Sequence, residues 1–354
     1  MPSDRKNAAP LFQSCIAGSL PKPAWLAETQ KLWPKWKLQG SGLEDAKRDA
    51  TLLWIKEQED AGLDIIGDGE QSRLHFVHGF LENLSGVDFK RKIRIGIRNN
   101  RYKALVPQIV APLQLTGRVH ESEARLARAH TKKRLKFTLP GPMTIVDTVA
   151  DSYYGDRREL ALAFADLLNR EALALEADGV DIIQFDEPAF NVYPDDVNSW
   201  GIAALERAVQ GLGCTTAVHI CYGYGIPANV AWKKSLGEEW RQYEQIFPAI
   251  AQSSIDQVSL ECRNSHVPPR LMGLLREKDI MVGVIDVASD VVETPEQIAE
   301  TIGIALWHVP AHRLYPCTNC GLAPMDREIA LRKLKALAKG VELARRLYGN
   351  GGWQ

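Results

Sequence analysis

The sequence predicts an α/β fold, a (β/α)8 TIM barrel with a long insertion after its second strand. Three observations carry this. Short apolar runs alternate with helix-patterned segments along the 354 residues; the runs number eight; and most end in a carboxylate, thiol or imidazole. Strand–helix alternation implies parallel pairing, and eight units match the count at which such a barrel closes, which favours it over an open doubly wound sheet. No sequence repeat underlies the rhythm.

The strands are expected at 13–18 (QSCIAG), 63–68 (LDIIGD), 134–139 (RLKFTL), 180–185 (VDIIQF), 215–221 (TTAVHIC), 256–261 (DQVSLE), 279–285 (DIMVGVI) and 312–317 (HRLYPC). Ahead of the second strand, the Trp- and Lys-rich stretch 23–37 reads as a packed, solvated helix end. After it come some 65 residues before the third strand. This insertion, about 71–133, holds a helical stretch at 71–82, an alternating basic region at 87–110 that turns near Asn99 and Asn100, and a second helical stretch at 121–133. A long connection here either covers the active face or is a decorative hairpin. The clearest helix is 157–178, where Leu160, Phe164, Leu167, Leu168 and Leu175 recur at helical spacing and Gly179 ends it. The last, 326–347, puts Leu334, Leu337, Val341 and Ala344 on one face. The whole chain, 1–354, reads as one domain.

Composition narrows the function. The apolar fraction is 45%, the charged fraction 25% and the net charge −1, so neither nucleic acid nor an anionic membrane is expected as a partner. No apolar run approaches the roughly 18 residues of a membrane span, and the N-terminus lacks the apolar core of a secretory leader. The expected location is cytoplasmic. The six cysteines do not form a disulfide framework for a chain this long; near His and Glu they point to metal or catalysis.

In a parallel barrel all C-terminal strand ends open on one face. Gathered there are Gly18 and Ser19, Asp68 and Glu70, Asp186 and Glu187, His219 and Cys221, Glu261 and Cys262, Asp286, and Cys317 and Cys320. His219 and Cys221 are two apart on a strand, so they share a side. Alone they also fit a satisfied core histidine and a buried thiol. With Glu261 and Cys320 from nearby strand ends they form an N/S/O set suited to zinc. Cys317 or Cys262 can replace Cys320 or Glu261 in that set, and the CxxC of the last strand also fits a redox pair. Asp186 and Glu187 point opposite ways, so at most one faces the pocket. A free thiol, with a pKa of about 8.5, is a poor nucleophile at neutral pH; a metal deprotonates it. Glu70 and Asp186 then suit the ammonium of an amino-acid thiol.

These motifs bear a resemblance that spans nearly the whole chain. It resembles the catalytic C-terminal barrel of the cobalamin-independent methionine synthase family, as a single-barrel member. Ile16-Ala17-Gly18-Ser19-Leu20-Pro21 is similar to the family's IGSFP, which touches homocysteine; Gly67-Asp68-Gly69-Glu70 to its HGE; and Gly141-Pro142-Met143-Thr144-Ile145 to its GPVTI. Phe185-Asp186-Glu187-Pro188-Ala189-Phe190 looks like its IDEPAL, His219-Ile220-Cys221-Tyr222 like its HxCY, Leu260-Glu261 carries its ligand Glu, and Asn319-Cys320-Gly321-Leu322 looks like its DCGL. The resemblance implies a zinc-dependent S-methyltransferase that makes methionine from homocysteine. It implies His219, Cys221, Glu261 and Cys320 as zinc ligands, favouring Cys320 over Cys317. It implies Gly18, Ser19, Glu70 and Asp186 as homocysteine contacts.

The methyl-donor half departs from the family. Ala288 stands where the family has its proton-donating histidine, Thr148 where a tryptophan stacks the pterin, and Val192 near the acidic folate contact. Asp286, with Ser289 and Asp290, is the expected substitute acid. The donor is therefore expected to be a methylcorrinoid, a folate bound differently or a methyl group handed over by a partner protein, rather than ordinary free methyltetrahydrofolate. The competing readings are a zinc alkyltransferase for another thiol, such as coenzyme M, a zinc-binding barrel without turnover, and a uroporphyrinogen-decarboxylase-like barrel that needs no metal. Against the second thiol stand Glu70 and Asp186, since a sulfonate thiol has no ammonium.

Overall fold

The computed structural model describes residues 10–349; residues 1–9, part of the stretch read for a leader, and 350–354 lie outside it. Among the described residues ten strands are present: β1 (Ile65–Gly67), β2 (Leu84–Ile97), β3 (Tyr102–Leu115), β4 (Arg134–Pro140), β5 (Ala150–Asp151), β6 (Ile182–Asp186), β7 (Thr215–Ile220), β8 (Gln257–Glu261), β9 (Asp279–Ile285) and β10 (Leu314–Thr318). Seven form one parallel sheet in the order β1-β4-β6-β7-β8-β9-β10. Every residue of β6 and β8 is buried, as a parallel sheet covered on both faces requires.

The sheet curls until its two edge strands meet the same segment. Cys15 donates its amide to Pro316 O at 3.0 Å, and Ile65 donates to Ser14 O at 3.0 Å. The expected first strand, 13–18, thus lies between β10 and β1, but it makes no regular ladder. Side chains replace the missing rungs: Asp64 accepts from both the amide and the hydroxyl of Ser14 at 2.8 Å, and Thr318 Oγ1 accepts from the Ala17 amide at 2.9 Å. Inside the curl pack Cys15, Ile65, Ile182, Ala217, Met281 and Cys317.

Helices cover the outer face. Gly40–Ala61 packs Trp54 and Ile55 inward and pins β1 through Gln58, whose Nε2 donates to Gly67 O at 2.8 Å. Arg157–Ala177 and Arg327–Tyr348 start at Asp156 and Asp326, whose carboxylates accept first-turn amides. Pro295–Leu306 opens on a capping box between Thr294 and Gln297. Among the described residues no helix is long and apolar enough to cross a membrane.

Two expected helices are not there. Residues 23–37 fold as turns with one bridge, Ala27 to Trp36. Of 71–82 only His78–Leu81 is helical. The reason is Arg73, buried and drawn to Asp68 at 2.8 Å and to Thr138 O at 2.7 Å, just after Glu70 in the left-handed region (φ 57°). Between β1 and β4 the chain also carries an antiparallel hairpin, β2 with β3, and a helix over Glu121–His130. The hairpin tip turns through three left-handed residues, Arg98, Asn99 and Asn100 (φ 52°, 55°, 61°). It is tied down by an ion pair between Arg98 and Asp147 and by the Asn99 amide, which donates to Tyr193 Oη at 2.6 Å.

Candidate functional site

The C-terminal ends of the parallel strands, with the loops after them, surround a partly open pocket with about 680 Å³ of empty space, its solvent-open mouth included. Seven of the expected residues line it: Gly18, Ser19, Glu70, Asp186, His219, Cys221 and Cys320.

At its floor the ligand atoms of His219, Cys221 and Cys320 all lie within 4.8 Å of one another. The two sulfurs are 3.0 Å apart. His219 uses Nδ1 with Ser259 Oγ at 2.7 Å, while Nε2 is buried with no hydrogen-bond partner. A buried imidazole nitrogen facing two thiols is an orphan that an N/S-preferring metal satisfies. The hydrogen bond from Cys320 outweighs burial and holds the Cys221 thiol well below the usual thiol range. Burial and the neighbouring Cys221 sulfur push Cys320 well above it. Burial alone would lower His219, but the Cys221 thiolate beside it raises it. The pair thus behaves as one thiolate and one thiol sharing a proton.

Cys317 is elsewhere, packed inside the curl with its sulfur 3.8 Å from Ser259 Oγ, and Cys262 donates its thiol to Leu260 O. Neither joins the trio. Glu261, buried on β8, is not one of the three converging groups. Its carboxylate is ion-paired with Lys233 and accepts the Tyr222 amide at 3.2 Å.

The carboxylate end of the cavity is built tightly. Thr138 Oγ1 donates to Glu70 Oε1 at 2.9 Å, and a Cβ on Gly18 would stand 2.8 Å from that same oxygen, so a larger residue there would push the carboxylate out of this position. Gln184 Nε2 donates to Asp186 Oδ1 at 2.7 Å, and Lys136 Nζ in turn donates to Gln184 Oε1 at 2.8 Å. Burial raises the Asp186 carboxyl to about 7, with the thiolate and Glu70 adding to the push and His219 opposing it. Glu187 turns the other way, as strand alternation demands. It accepts from the Met143 and Thr144 amides at 2.9 and 2.8 Å and caps the helix Pro142–Val146.

Asp286 falls outside the cavity lining. Its Oδ2 accepts from Asn264 Nδ2 at 2.9 Å and its Oδ1 from the Ala288 amide at 2.8 Å, so it caps its own loop. None of 286–290 lines the cavity. Thr148 does, but its hydroxyl is turned back onto Thr144 O and Ile145 O at 3.1 and 3.0 Å.

Several lining residues escaped sequence reasoning: His75, Arg98, Arg101, Tyr102, Tyr224 and Asn229. His75 stacks on Trp33, ring centroids 3.7 Å apart, and burial keeps its imidazole well below the usual histidine range. Tyr224 Oη lies 3.2 Å from Ser19 Oγ. Their only sequence signal was polar side chains soon after the strand ends carrying Glu70 and Cys221, and at the tip of an insertion.

Comparisons with known proteins point to one family. The family model described as the catalytic domain of cobalamin-independent synthase matches residues 12–345. A methionine synthase from Thermococcus kodakarensis is 31% identical over 339 residues, 95% of this chain and 94% of that protein. One from Sulfurisphaera tokodaii is 29% identical, covering 97% and 96%. Among solved structures, a B12-independent methionine synthase from Shewanella sp. W3-18-1, in complex with selenomethionine, superposes with a TM-score of 0.94 at 54% identity, over 95% of this chain and 98% of that one.

Proposed function

The chain belongs to the cobalamin-independent methionine synthase catalytic-domain family, a family of methyltransferases, and from that premise we propose that it moves a methyl group onto the thiol of homocysteine at a zinc centre. One observation carries the reading: an orphaned buried imidazole nitrogen and two thiols converge in the same cavity as two carboxylates. His219, Cys221 and Cys320 hold the metal, and we take Glu261, which is ion-paired with Lys233 and accepts the amide of Tyr222, the residue after Cys221, as the fourth ligand. Zinc bound there supplies the charge that keeps a substrate thiol deprotonated near neutral pH.

The chain's own groups place the acceptor. Glu70 and Asp186 take the ammonium, and Ser19 with the Gly18 backbone takes the carboxylate beside it. Lys136 and Gln184 fix the Asp186 carboxylate in position. Transfer forms a sulfur–carbon bond and breaks the bond between donor and methyl, the electron pair leaving with the donor. For the fold, we read 13–18 as the eighth stave of a closed (β/α)8 barrel, the chain as one domain and 71–133 as an insertion over its mouth; the hydrogen bonds from 13–18 to both edge strands support this.

A folate nitrogen needs a proton to leave, and general-acid help of that kind is worth roughly 10²–10⁴-fold. No acid of the 286–290 loop lines the cavity, and Thr148 offers no ring to stack a pterin. These support a donor other than ordinary free methyltetrahydrofolate, with a methylcorrinoid, whose metal leaves without a proton, as the first choice. Methionine formation from homocysteine, followed with methylcobalamin and with methyltetrahydrofolate, each with and without cell extract, tests this. Turnover with the corrinoid or only with extract is expected. Steady turnover of the purified chain on free methyltetrahydrofolate, at about 1 s⁻¹ or more, contradicts the donor reading.

A further inference from the structure

The hairpin tip brings a second kind of chemistry to the site. Arg101, at the start of β3's approach, stacks its guanidinium on Trp232, 3.2 Å from the ring centroid. Its Nη1 is 3.3 Å from Asn229 Oδ1 and 3.5 Å from Tyr222 O. Its Nε and Nη2 are buried and have no hydrogen-bond partner. The neighbouring Arg98 differs, since it is ion-paired with Asp147.

The pattern of free and used atoms is informative. In a guanidinium, Nε–H and one N–H of Nη2 point the same way and form the side edge that grips a carboxylate or phosphate with two parallel bonds. Arg101 keeps that edge free and uses the remaining nitrogen for anchoring. Stacking on Trp232 satisfies the π-face and leaves the in-plane donors unsatisfied. Arg101 is only part-buried, but its Nε and Nη2 are shielded and it has no ion-pair partner, and burial with Arg98 nearby already lowers it to about 10.

Its position identifies the occupant. Arg101 lies on a wall shared by the site cavity and an outer groove of about 870 Å³, which is also lined by Asn191, Val192, Trp232 and Gln242. The acceptor's ammonium and carboxylate sit on one carbon, so both stay at the Glu70, Asp186 and Ser19 end. The group that reaches Arg101 belongs to the other reactant.

We propose that the Nε/Nη2 edge of Arg101 is the receptor for an oxyanion, a carboxylate or phosphate, carried by the methyl donor and bound where the site cavity meets the outer groove. This rests on the acceptor assignment above. Both donor atoms are shut off from solvent, so little water competes with an oxyanion for them.

The test uses the zinc-loaded full chain and two probes, glutarate and inorganic phosphate, with binding measured by calorimetry for the wild type, Arg101→Gln and Arg101→Lys. Lysine keeps the charge and loses the fork, and it guards against a folding defect in the glutamine variant. Both variants are expected to lose about tenfold or more in affinity for at least one probe. L-Homocysteine affinity, measured alongside, is expected to stay within about twofold. Probe affinities equal in all three proteins overturn the proposal. A fall in homocysteine affinity in Arg101→Lys that matches the fall for the probe also overturns it, because the oxyanion is then the acceptor's own carboxylate. A wild type that binds the probes through Arg101 but fails to bind homocysteine leaves the receptor standing and sinks the acceptor reading instead.

Discussion

Replacing Asp186 by asparagine removes a charge and leaves the shape of the site unchanged. Asp186 ends β6, lines the cavity and has Oδ1 fixed by Gln184 at 2.7 Å. Asparagine keeps a carbonyl oxygen for that bond but loses the charge-assisted contact to the substrate ammonium. Such contacts are worth about 1.5–3 kcal/mol, which is roughly 10- to 150-fold in affinity. The apparent KM for homocysteine should therefore rise about tenfold or more near pH 8, with zinc content unchanged. The effect should itself depend on pH. Because burial raises the Asp186 carboxyl to about 7, the wild type loses its own charge as the pH falls through that value. Its KM should climb between about pH 8 and 6 towards that of the variant, whose KM stays flat over this range. The assay is steady-state methionine formation with homocysteine and, in parallel, with 3-mercaptopropionate, which lacks the ammonium. If the wild type uses 3-mercaptopropionate as well as homocysteine, or if Asp186→Asn changes KM by less than about twofold, the ammonium reading is wrong.

Three further outcomes follow from the same geometry. Glu70→Gln should raise the homocysteine KM by a similar factor and leave zinc bound, since Thr138 can still donate to the amide oxygen; a loss of zinc instead would place Glu70 on the metal. Burial raises the Glu187 carboxyl from 4.5 to about 7, so its protonated form is the one the fold favours. The resulting stability is full below about pH 4.5 and is lost as the pH rises through about 7, by at most about 3 kcal/mol. Melting temperatures should fall more steeply over that window in the wild type than in Glu187→Gln, and parallel curves would refute it. Ser259→Ala frees His219 Nδ1, so zinc affinity measured by chelator competition should fall roughly 10- to 100-fold, and an unchanged affinity would mean that packing alone orients the ring.

The strand ends were legible because two signals coincide there: a short apolar run fixes the strand, and the polar residue that ends it has no role in the core. Those two signals alone point His219, Cys221, Cys320, Glu70 and Asp186 to one face, and the structure places all five on one pocket. The alternation argument also separated Asp186 from Glu187, which the structure turns to opposite sides. Helix Gly40–Ala61 was missed because its inward face is partly Ala46, Ala50, Thr51 and Gln58, which blurs the apolar stripe. The helix expected over 71–82 fails for the opposite reason: its apolar spacing is real, but Asp68 and Thr138 O claim the Arg73 side chain and the chain must turn. Arg98, Arg101 and Lys233 escaped because their positions depend on tertiary ties, Asp147 and Tyr193 for the hairpin tip and Glu261 for Lys233. Periodicity carries no information about such long-range pairs.

The central claim is that His219, Cys221 and Cys320 form a metal centre that activates the acceptor thiol. Elemental analysis of purified wild type, Cys221→Ser and Cys320→Ser measures it most directly. The account predicts about one zinc per wild-type chain and a marked loss in both variants, because each removes one of the three converging N/S groups. Zinc at the wild-type level in both variants would contradict it.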